Sequence, residues 1–535
     1  MYQNVIIEDD QIFIDKNQIN LIEYIEINSQ KIKKSFILNI EKISKNKILK
    51  DKYKFNKYFI SDFFSCFEKN PYHPEFILTV KVLAVEEILK NIKKFNLVNN
   101  IKNKTLRNSI NIIYKNKFIK PKYFFFYKII IIGKAIIFYL LKLRKKKIIG
   151  DYKNIIFTYN VINKENDDVP AHWFKFKNLK SDIKKTILFV CFPIDKSLEK
   201  KNFINANIIN IESIISNQII LKSLFQYVFL CFKNFLYKPL DFKKKTHISI
   251  LNIFNQKFID DLIGINLLTN IIYINFFHSF FNNNYRNKIY YVFENYSWQR
   301  IIEKTAQVNK HKNIFAFQHS SVRYWDTRYF ASSNYFLPKN LLVCSKSYYS
   351  FLNENSLSNV QKIENLRLEI LPQSSSGIVN LNSILIFLDH IFEDNKTLMD
   401  IFMLNPFFFR NFKFYIKNKH FCKLMKNYLI DFEYTLIDSD EIKYKNFNFF
   451  IVVGSSGVVE DLSISNIMPF VYLPKNKINL SPFKNIVDKV FFSNYEDLFH
   501  LISNKKTPIK RIPSNFYLGD KLELWNDILI NESHS

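Results

Sequence analysis

Two stretches of the chain carry residue types whose spacing could do chemistry. In the first, Tyr291-Val292-Phe293-Glu294-Asn295-Tyr296-Ser297-Trp298 is followed by Ile314-Phe315-Ala316-Phe317-Gln318-His319. Glu294 and His319 each close a β-rich run, so neighbouring parallel strands would bring a carboxylate and an imidazole to one sheet edge. Such a pair suits general-base work or contact with a diphosphate, and either residue alone is equally at home in a structural role. Arg323, Asp326 and Arg328 come next, with Arg367 beyond them. Lysine supplies most of the positive charge, so the crowding of arginines between 286 and 367 points to positions that need a planar fork. Ser320 and Ser321 lie beside His319 without the GxSxG turn of a hydrolase nucleophile.

The second stretch is Phe449-Phe450-Ile451-Val452-Val453-Gly454-Ser455-Ser456-Gly457-Val458-Val459-Glu460, an apolar strand, a small-residue turn and the start of a helix. The chain has 7 glycines, where ordinary usage would give roughly 37, so two of them three residues apart are informative. Such a turn lets the backbone approach a ligand, with Ser455 and Ser456 as hydroxyl donors and Glu460 an acceptor for ribose hydroxyls. The same turn would also serve as an ordinary connection with a serine cap. Upstream, Lys417 and His420 follow the strand-like Phe414-Tyr415-Ile416. Lys417 there could neutralise a phosphate, whereas His420 reads equally as a solvated loop residue. Neither GxGxxG nor a Walker A loop can be written from these glycines. His73, His172, His247 and His278 are dispersed without metal-ligand spacing, so no metal site and no cofactor are expected.

The elements that must position these residues begin near 150. Strand-like runs at Asn154–Tyr159, Thr186–Phe192, Ile248–Phe254, Lys288–Phe293, Asn313–Phe317 and Leu341–Cys344 alternate with helical stretches such as Ser213–Phe235 and Trp298–Asn309. A second series runs through Ser383–Leu388, Lys413–Ile416, Tyr434–Ile437, Phe449–Val453, Phe470–Leu473 and Val490–Phe492. Alternation of this kind implies βαβ units and parallel sheets. The expected class is α/β: two Rossmann-like domains facing a cleft, at 150–372 (acceptor) and 373–535 (donor), after a helical region at 1–149. The acidic N-terminus does not read as a signal peptide.

Tyr123 to Leu143 is the most apolar stretch, and Arg144-Lys145-Lys146-Lys147 follows it. Lys128 and Lys134 interrupt it, so a helix lying on an inner-membrane surface, lysines up and Ile and aromatic residues down, fits better than a spanning one. A helix packed at a domain edge is the other reading.

Composition bounds the class. With 48% hydrophobic and 23% charged residues, the 535-residue chain is globular and long enough for two domains plus an extension. The net charge of +29 raises the question of a nucleic-acid partner. Its lysine-dominated origin, alongside heavy use of Asn, Ile, Phe and Tyr, fits AT-rich codon bias instead, and no nucleic acid is expected. The five cysteines, Cys66, Cys191, Cys231, Cys344 and Cys422, form no CxxC pair and read as reduced thiols of a cytoplasmic protein.

Glu294-Asn295-Tyr296-Ser297-Trp298, Gln318-His319-Ser320, Arg323 to Phe330 and Glu364-Asn365-Leu366-Arg367 resemble a family of bacterial surface-carbohydrate (O-antigen cluster) biosynthesis proteins. The resemblance runs from about 55 to the end and includes His172-Trp173 and Tyr517 to Trp525. More distantly, the C-terminal half is similar to bacterial sialyl-, Kdo- and polysialyltransferases. Ser455-Ser456 matches their Ser-Ser motif, while Lys417-Asn418-Lys419-His420-Phe421 lacks the proline of their His-Pro motif. The resemblance implies a metal-independent GT-B glycosyltransferase of lipopolysaccharide or other surface-polysaccharide synthesis, peripheral to the cytoplasmic membrane. The donor would be a nucleotide sugar, CMP-linked if the distant similarity extends to the donor, held by Lys417, His420, Gly454 to Gly457 and Glu460. The acceptor would be a glycan or lipid-linked glycan, deprotonated by Glu294 or His319, with Arg323, Asp326, Arg328 and Arg367 at the acceptor or the hinge. A non-catalytic scaffold of the same machinery is the competing expectation.

Overall fold

Runs of β-branched and aromatic residues, buried along their whole length, make the centres of two separate parallel sheets. The computed structural model describes residues 2–44, 74–115, 124–143, 152–159, 169–192, 207–235, 260–283, 287–319, 322–327, 338–354, 359–366, 383–389, 392–417, 434–437, 447–454, 456–464, 467–475, 477–482, 490–503 and 521–530, with single positions between 54 and 62 and at 150, 253, 484 and 517. The chain divides into two units, one of Met1–His319, Asp326–Arg367 and Tyr517–Ser535, the other of Ser320–Trp325 and Leu368–Phe516.

The first unit opens with strands, which corrects the expectation of a helical region at 1–149. β1 (Gln3–Glu8), β2 (Gln11–Ile14) and β3 (Asn17–Asn20) form an antiparallel meander. A pair, β4 (Lys54–Phe55) and β5 (Tyr58–Phe59), follows, and β6 (Phe95–Asn99) adds in parallel to β1. Val5, Ile7 and Ile12 point inward at period two; strands this short leave too few alternations to stand out from a helical pattern. Helices Ser29–Ser44 and Pro74–Leu89 do form in this region, as expected.

The unit's main sheet holds β7 (Asn154–Tyr159), β8 (Ile187–Phe192), β9 (Ile208–Asn210), β10 (Lys288–Val292), β11 (Ile314–Gln318), β12 (Asn340–Val343) and β13 (Asn359–Lys362). All pair in parallel in the order β13-β12-β11-β10-β7-β8-β9. β9 and β13 escaped the sequence reading because β9, with 3 residues, is too short to show a period and β13, Asn359-Val360-Gln361-Lys362, is largely polar. The expected strand Ile248–Phe254 lies outside the described residues. At the end of the chain, helix Glu523–Ile530 returns to this unit. Trp525 is fully buried among Trp173, Phe176, Tyr290 and Phe317, and the Glu364 carboxylate accepts from the backbone N–H groups of Leu524 and Trp525 at 2.8 and 3.3 Å. The expected extent of the C-terminal domain, 373–535, is thereby corrected: aromatic burial carries Tyr517–Ser535 to the first unit.

The second unit is a six-stranded parallel sheet of β14 (Ser383–Phe387), β15 (Lys413–Lys417), β16 (Tyr434–Ile437), β17 (Phe449–Val453), β18 (Phe470–Tyr472) and β19 (Phe491–Phe492), ordered β16-β15-β14-β17-β18-β19. Alternate side chains feed two cores. Ile384 and Ile386 pack with Leu398 and Phe402 of helix Phe392–Leu404 and with Leu498 of helix Tyr495–Ser503; Leu385 and Phe387 pack with Val459 and Leu462 of helix Val458–Ile464. Helices therefore cover both faces, as the α/β class requires. In both large sheets the strand order reverses once, between β7 and β10 in the first unit and between β14 and β17 in the second. In open α/β sheets ligands bind outside the carboxyl ends of the strands flanking such a reversal.

Candidate functional site

The chemistry-bearing residues of the first unit gather at its reversal point. β10 ends at Val292, and Glu294 stands two residues beyond; β11 ends at Gln318, and His319 is the next residue. Because β10 and β11 pair directly, the two side chains converge, with His319 Nε2 3.5 Å from Glu294 Oε1. His319 is buried, and Glu294 is the more exposed of the pair.

The loop that presents Glu294 is held from below. Gln299, in the first turn of helix Ser297–Val308, accepts through Oε1 from the backbone N–H of Glu294 at 2.9 Å and of Tyr296 at 3.0 Å, while its Nε2 donates to the Val292 carbonyl. Arg300 Nη1 donates to the Asn295 carbonyl at 2.9 Å. Asn295 itself is fully buried at φ 61°, a left-handed conformation that asparagine tolerates better than most residues. Four hydrogen bonds thus fix the backbone of the loop that carries the carboxylate.

A third group joins the pair. His172 sits in the 3₁₀ segment Ala171–Asn178, anchored by buried Trp173, which packs on Phe317 and Trp525. The His172 and His319 rings meet edge to face at 4.7 Å, and one ligating atom from each of His172, Glu294 and His319 lies within 4.8 Å of the others. Sequence spacing set His172 aside; 122 positions separate it from Glu294 in the chain, and only parallel pairing of β7 with β10 closes that distance. Two imidazoles and a carboxylate are also a donor set that a divalent ion accepts. Tyr159, at the end of β7, lines the same place: its ring lies 6.0 Å from His172 and 5.6 Å from Tyr296, and its hydroxyl accepts from Trp298 Nε1 at 3.3 Å.

In the second unit, Asp389 follows β14 and Gly454 follows β17, the strands that flank the reversal. Gly454 adopts φ +64°, and a Cβ there would stand 2.5 Å from Asp389 Oδ2. Backbone conformation and space both demand glycine at this position. Asp389 is buried, and its loop is clamped by Asn395 of the next helix: the Asp389 N–H donates to Asn395 Oδ1 and Asn395 Nδ2 donates to the Asp389 carbonyl, each at 2.9 Å. The acidic residue went unnoticed in the sequence, where a lone Asp after a strand carries no motif. Ser456 Oγ accepts from the Val458 N–H at 3.4 Å, so Ser456 caps its helix while remaining half-buried at the turn. Helix Val458–Ile464 is short, at 7 residues. Glu460, in its first turn, is half-buried.

Lys417 closes β15, the neighbour of β14. Arg323 is half-buried and Asp326 buried. Tyr324 and Trp325 hold a buried cation, Lys484, whose Nζ stands 4.7 and 5.0 Å from their ring centres. His420, Ser455, Arg328 and Arg367 lie outside the described residues.

No family model matches the chain, and no curated protein matches it. Among solved structures, it is similar to a UDP-GlcNAc 2-epimerase from Neisseria meningitidis bound to UDP-GlcNAc, at 11% identity and TM-score 0.38 over 70% of this chain and 98% of that one. A glycosyltransferase from Rickettsia africae matches at 13% identity and TM-score 0.37 over 71% and 99%. TarM matches at 11% and 0.32 over 49% of this chain, which spans 58% of the TarM chain.

Proposed function

We propose that this chain is a glycosyltransferase that moves a sugar from a nucleotide-activated donor to a hydroxyl of a surface-glycan acceptor. The observation that carries the reading is positional. In each of two doubly wound sheets the residues able to do chemistry stand at the strand-order reversal, one place with an acid–imidazole pair and the other with a glycine turn beside a clamped aspartate. The second unit binds the nucleotide, its backbone at Gly454 admitting the phosphates closely and Ser456 adding a hydroxyl. Lys417 balances phosphate charge from the adjacent strand end. In the first unit Glu294, the more exposed of the pair, takes the proton of the acceptor hydroxyl, and His319 stabilises the carboxyl as it forms. The acceptor oxygen bonds to the anomeric carbon as the bond from that carbon to phosphate breaks, and the nucleotide leaves with the electron pair. The surface-glycan acceptor follows from the resemblance of the 294–298, 318–330 and 364–367 stretches.

Transfer assays with Glu294→Gln and His319→Ala test the assignment. Both variants should lose transfer by about 10² or more, the scale of a lost general base, while donor affinity stays within a few-fold. Full turnover in either clears that residue. Donor binding without turnover in the wild-type chain would hand the protein to the scaffold reading, which the missing proline after His420 favours.

A further inference from the structure

The helix Phe124–Leu140 does not lie as its sequence suggested. Lys128 is buried at 5% exposure, and burial pulls its ammonium below the usual lysine range, while Ile129, Ile130, Ile137 and Leu140 stand in solvent, with Leu141 just past the helix end. The other side packs on helix Ile265–Asn283, where the Tyr139 and Thr269 hydroxyls meet at 2.7 Å. A Cβ at Gly133, on the outward arc, would touch nothing within 4 Å.

The neighbouring helix Asn217–Phe235 repeats the arrangement. Ser223, Leu224, Tyr227, Leu230 and Cys231 are buried, with Ser223 hydrogen-bonded to Asn275 of helix Ile265–Asn283 at 2.8 Å. Leu221, Phe225, Phe229 and Phe232 form a single stripe on the opposite side, the three phenylalanines 80%, 68% and 76% exposed. Residues 4, 4 and 3 apart share one helix face. The two helices touch each other, so their apolar arcs are adjacent. Exposed apolar patches of this kind mark an interaction surface.

Charge identifies the partner. Neither helix, nor the one beneath them, contains an Asp or Glu. Lys134 and Lys222 are exposed on the two outer helices, Arg144-Lys145-Lys146-Lys147 follows the first in sequence, and Lys233 lies in the last turn of the second. A second copy docked symmetrically would set these cations against themselves, and Glu212, the carboxylate beside the first helix, is already paired with Lys142. We propose that this two-helix face seats the first unit on an anionic lipid bilayer surface, the phenylalanines and isoleucines entering the headgroup–acyl boundary and the lysines meeting phosphate. The proposal stands apart from the transfer reaction, because no residue of the face belongs to either reversal point.

Co-sedimentation of the full chain with phosphatidylglycerol–phosphatidylcholine vesicles tests it, with pure phosphatidylcholine vesicles as control. Binding should favour the anionic vesicles and weaken with added salt. The triple variant Phe225→Ser, Phe229→Ser, Phe232→Ser should partition at least about tenfold less. These side chains are exposed, so the variant should melt with the wild type, and Lys134→Glu with Lys222→Glu should lower binding to anionic vesicles only. Absence of vesicle binding, or wild-type binding by the triple variant, overturns the proposal. So does a wild-type dimer in sedimentation velocity that the triple variant dissociates, which would give the face to a second copy.

Discussion

At the scale of single residues, the trio His172, Glu294 and His319 shows both what sequence spacing reveals and what it hides. Glu294 and His319 were legible because each closes an apolar run that pairs with the other's. His172 was not, since its place depends on a 3₁₀ segment whose buried Trp173 reads as core in any context. The pair's chemistry and a metal's chemistry can be told apart. A chelator should leave transfer unchanged if Glu294 and His319 work as acid and base; loss on chelation, restored by zinc or manganese, would make the trio an ion site. Another acid, half-buried on the helix that follows Glu294, has no role in transfer. Glu303 on helix Ser297–Val308 accepts from the Tyr291 hydroxyl at 2.9 Å, and burial pushes its carboxyl up to about 7. The folded state therefore holds this proton more tightly than the unfolded chain does. Its contribution is fully present below about pH 4.5 and is lost as pH rises through about 7. Glu303→Gln should flatten the fall in stability across that window by up to roughly 3 kcal/mol, at about 1.4 kcal/mol per pKa unit, as read from urea midpoints at several pH values.

At the scale of elements, both reversal points use one device: a carboxamide in the first turn of the following helix bonds to the backbone of the loop that carries the acid. Gln299 does this for Glu294 and Asn395 for Asp389. Replacing Gln299 with Ala removes three hydrogen bonds, two from half-buried amides and one to the Val292 carbonyl, which should lower stability by about 1–3 kcal/mol. Transfer should fall with donor affinity intact, because the carboxylate loses its direction and the second unit is untouched; unchanged turnover would show that Glu294 needs no such support. The central strands of both sheets were readable from continuous apolar runs. The N-terminal meander was not, since strands of four to six residues with polar neighbours give too few periods. The turn at Gly454 was readable because glycine is scarce, yet its reason, the closeness of the Asp389 carboxylate, lies in a residue 65 positions away.

At the scale of the whole molecule, chain order and unit membership part company. The last segment belongs to the first unit through Trp525, which four aromatic residues surround. Trp525→Ala should destabilise that unit by about 3–5 kcal/mol, measured by denaturant titration followed through probes in each unit; loss confined to the second would contradict the division. A boundary placed by loop composition could not foresee this, because tertiary burial of an aromatic helix leaves no local mark at position 370. The division of labour between the two units is the central claim, and calorimetric titration of the full chain with UDP-, GDP-, CDP- and CMP-linked sugars tests it most directly. At least one should bind, with affinity reduced roughly tenfold in Ser456→Ala, the scale of a lost hydrogen bond to a charged group, and retained in Glu294→Gln. Binding that survives Ser456→Ala unchanged but collapses in Glu294→Gln, or no binding of any nucleotide sugar, would contradict it.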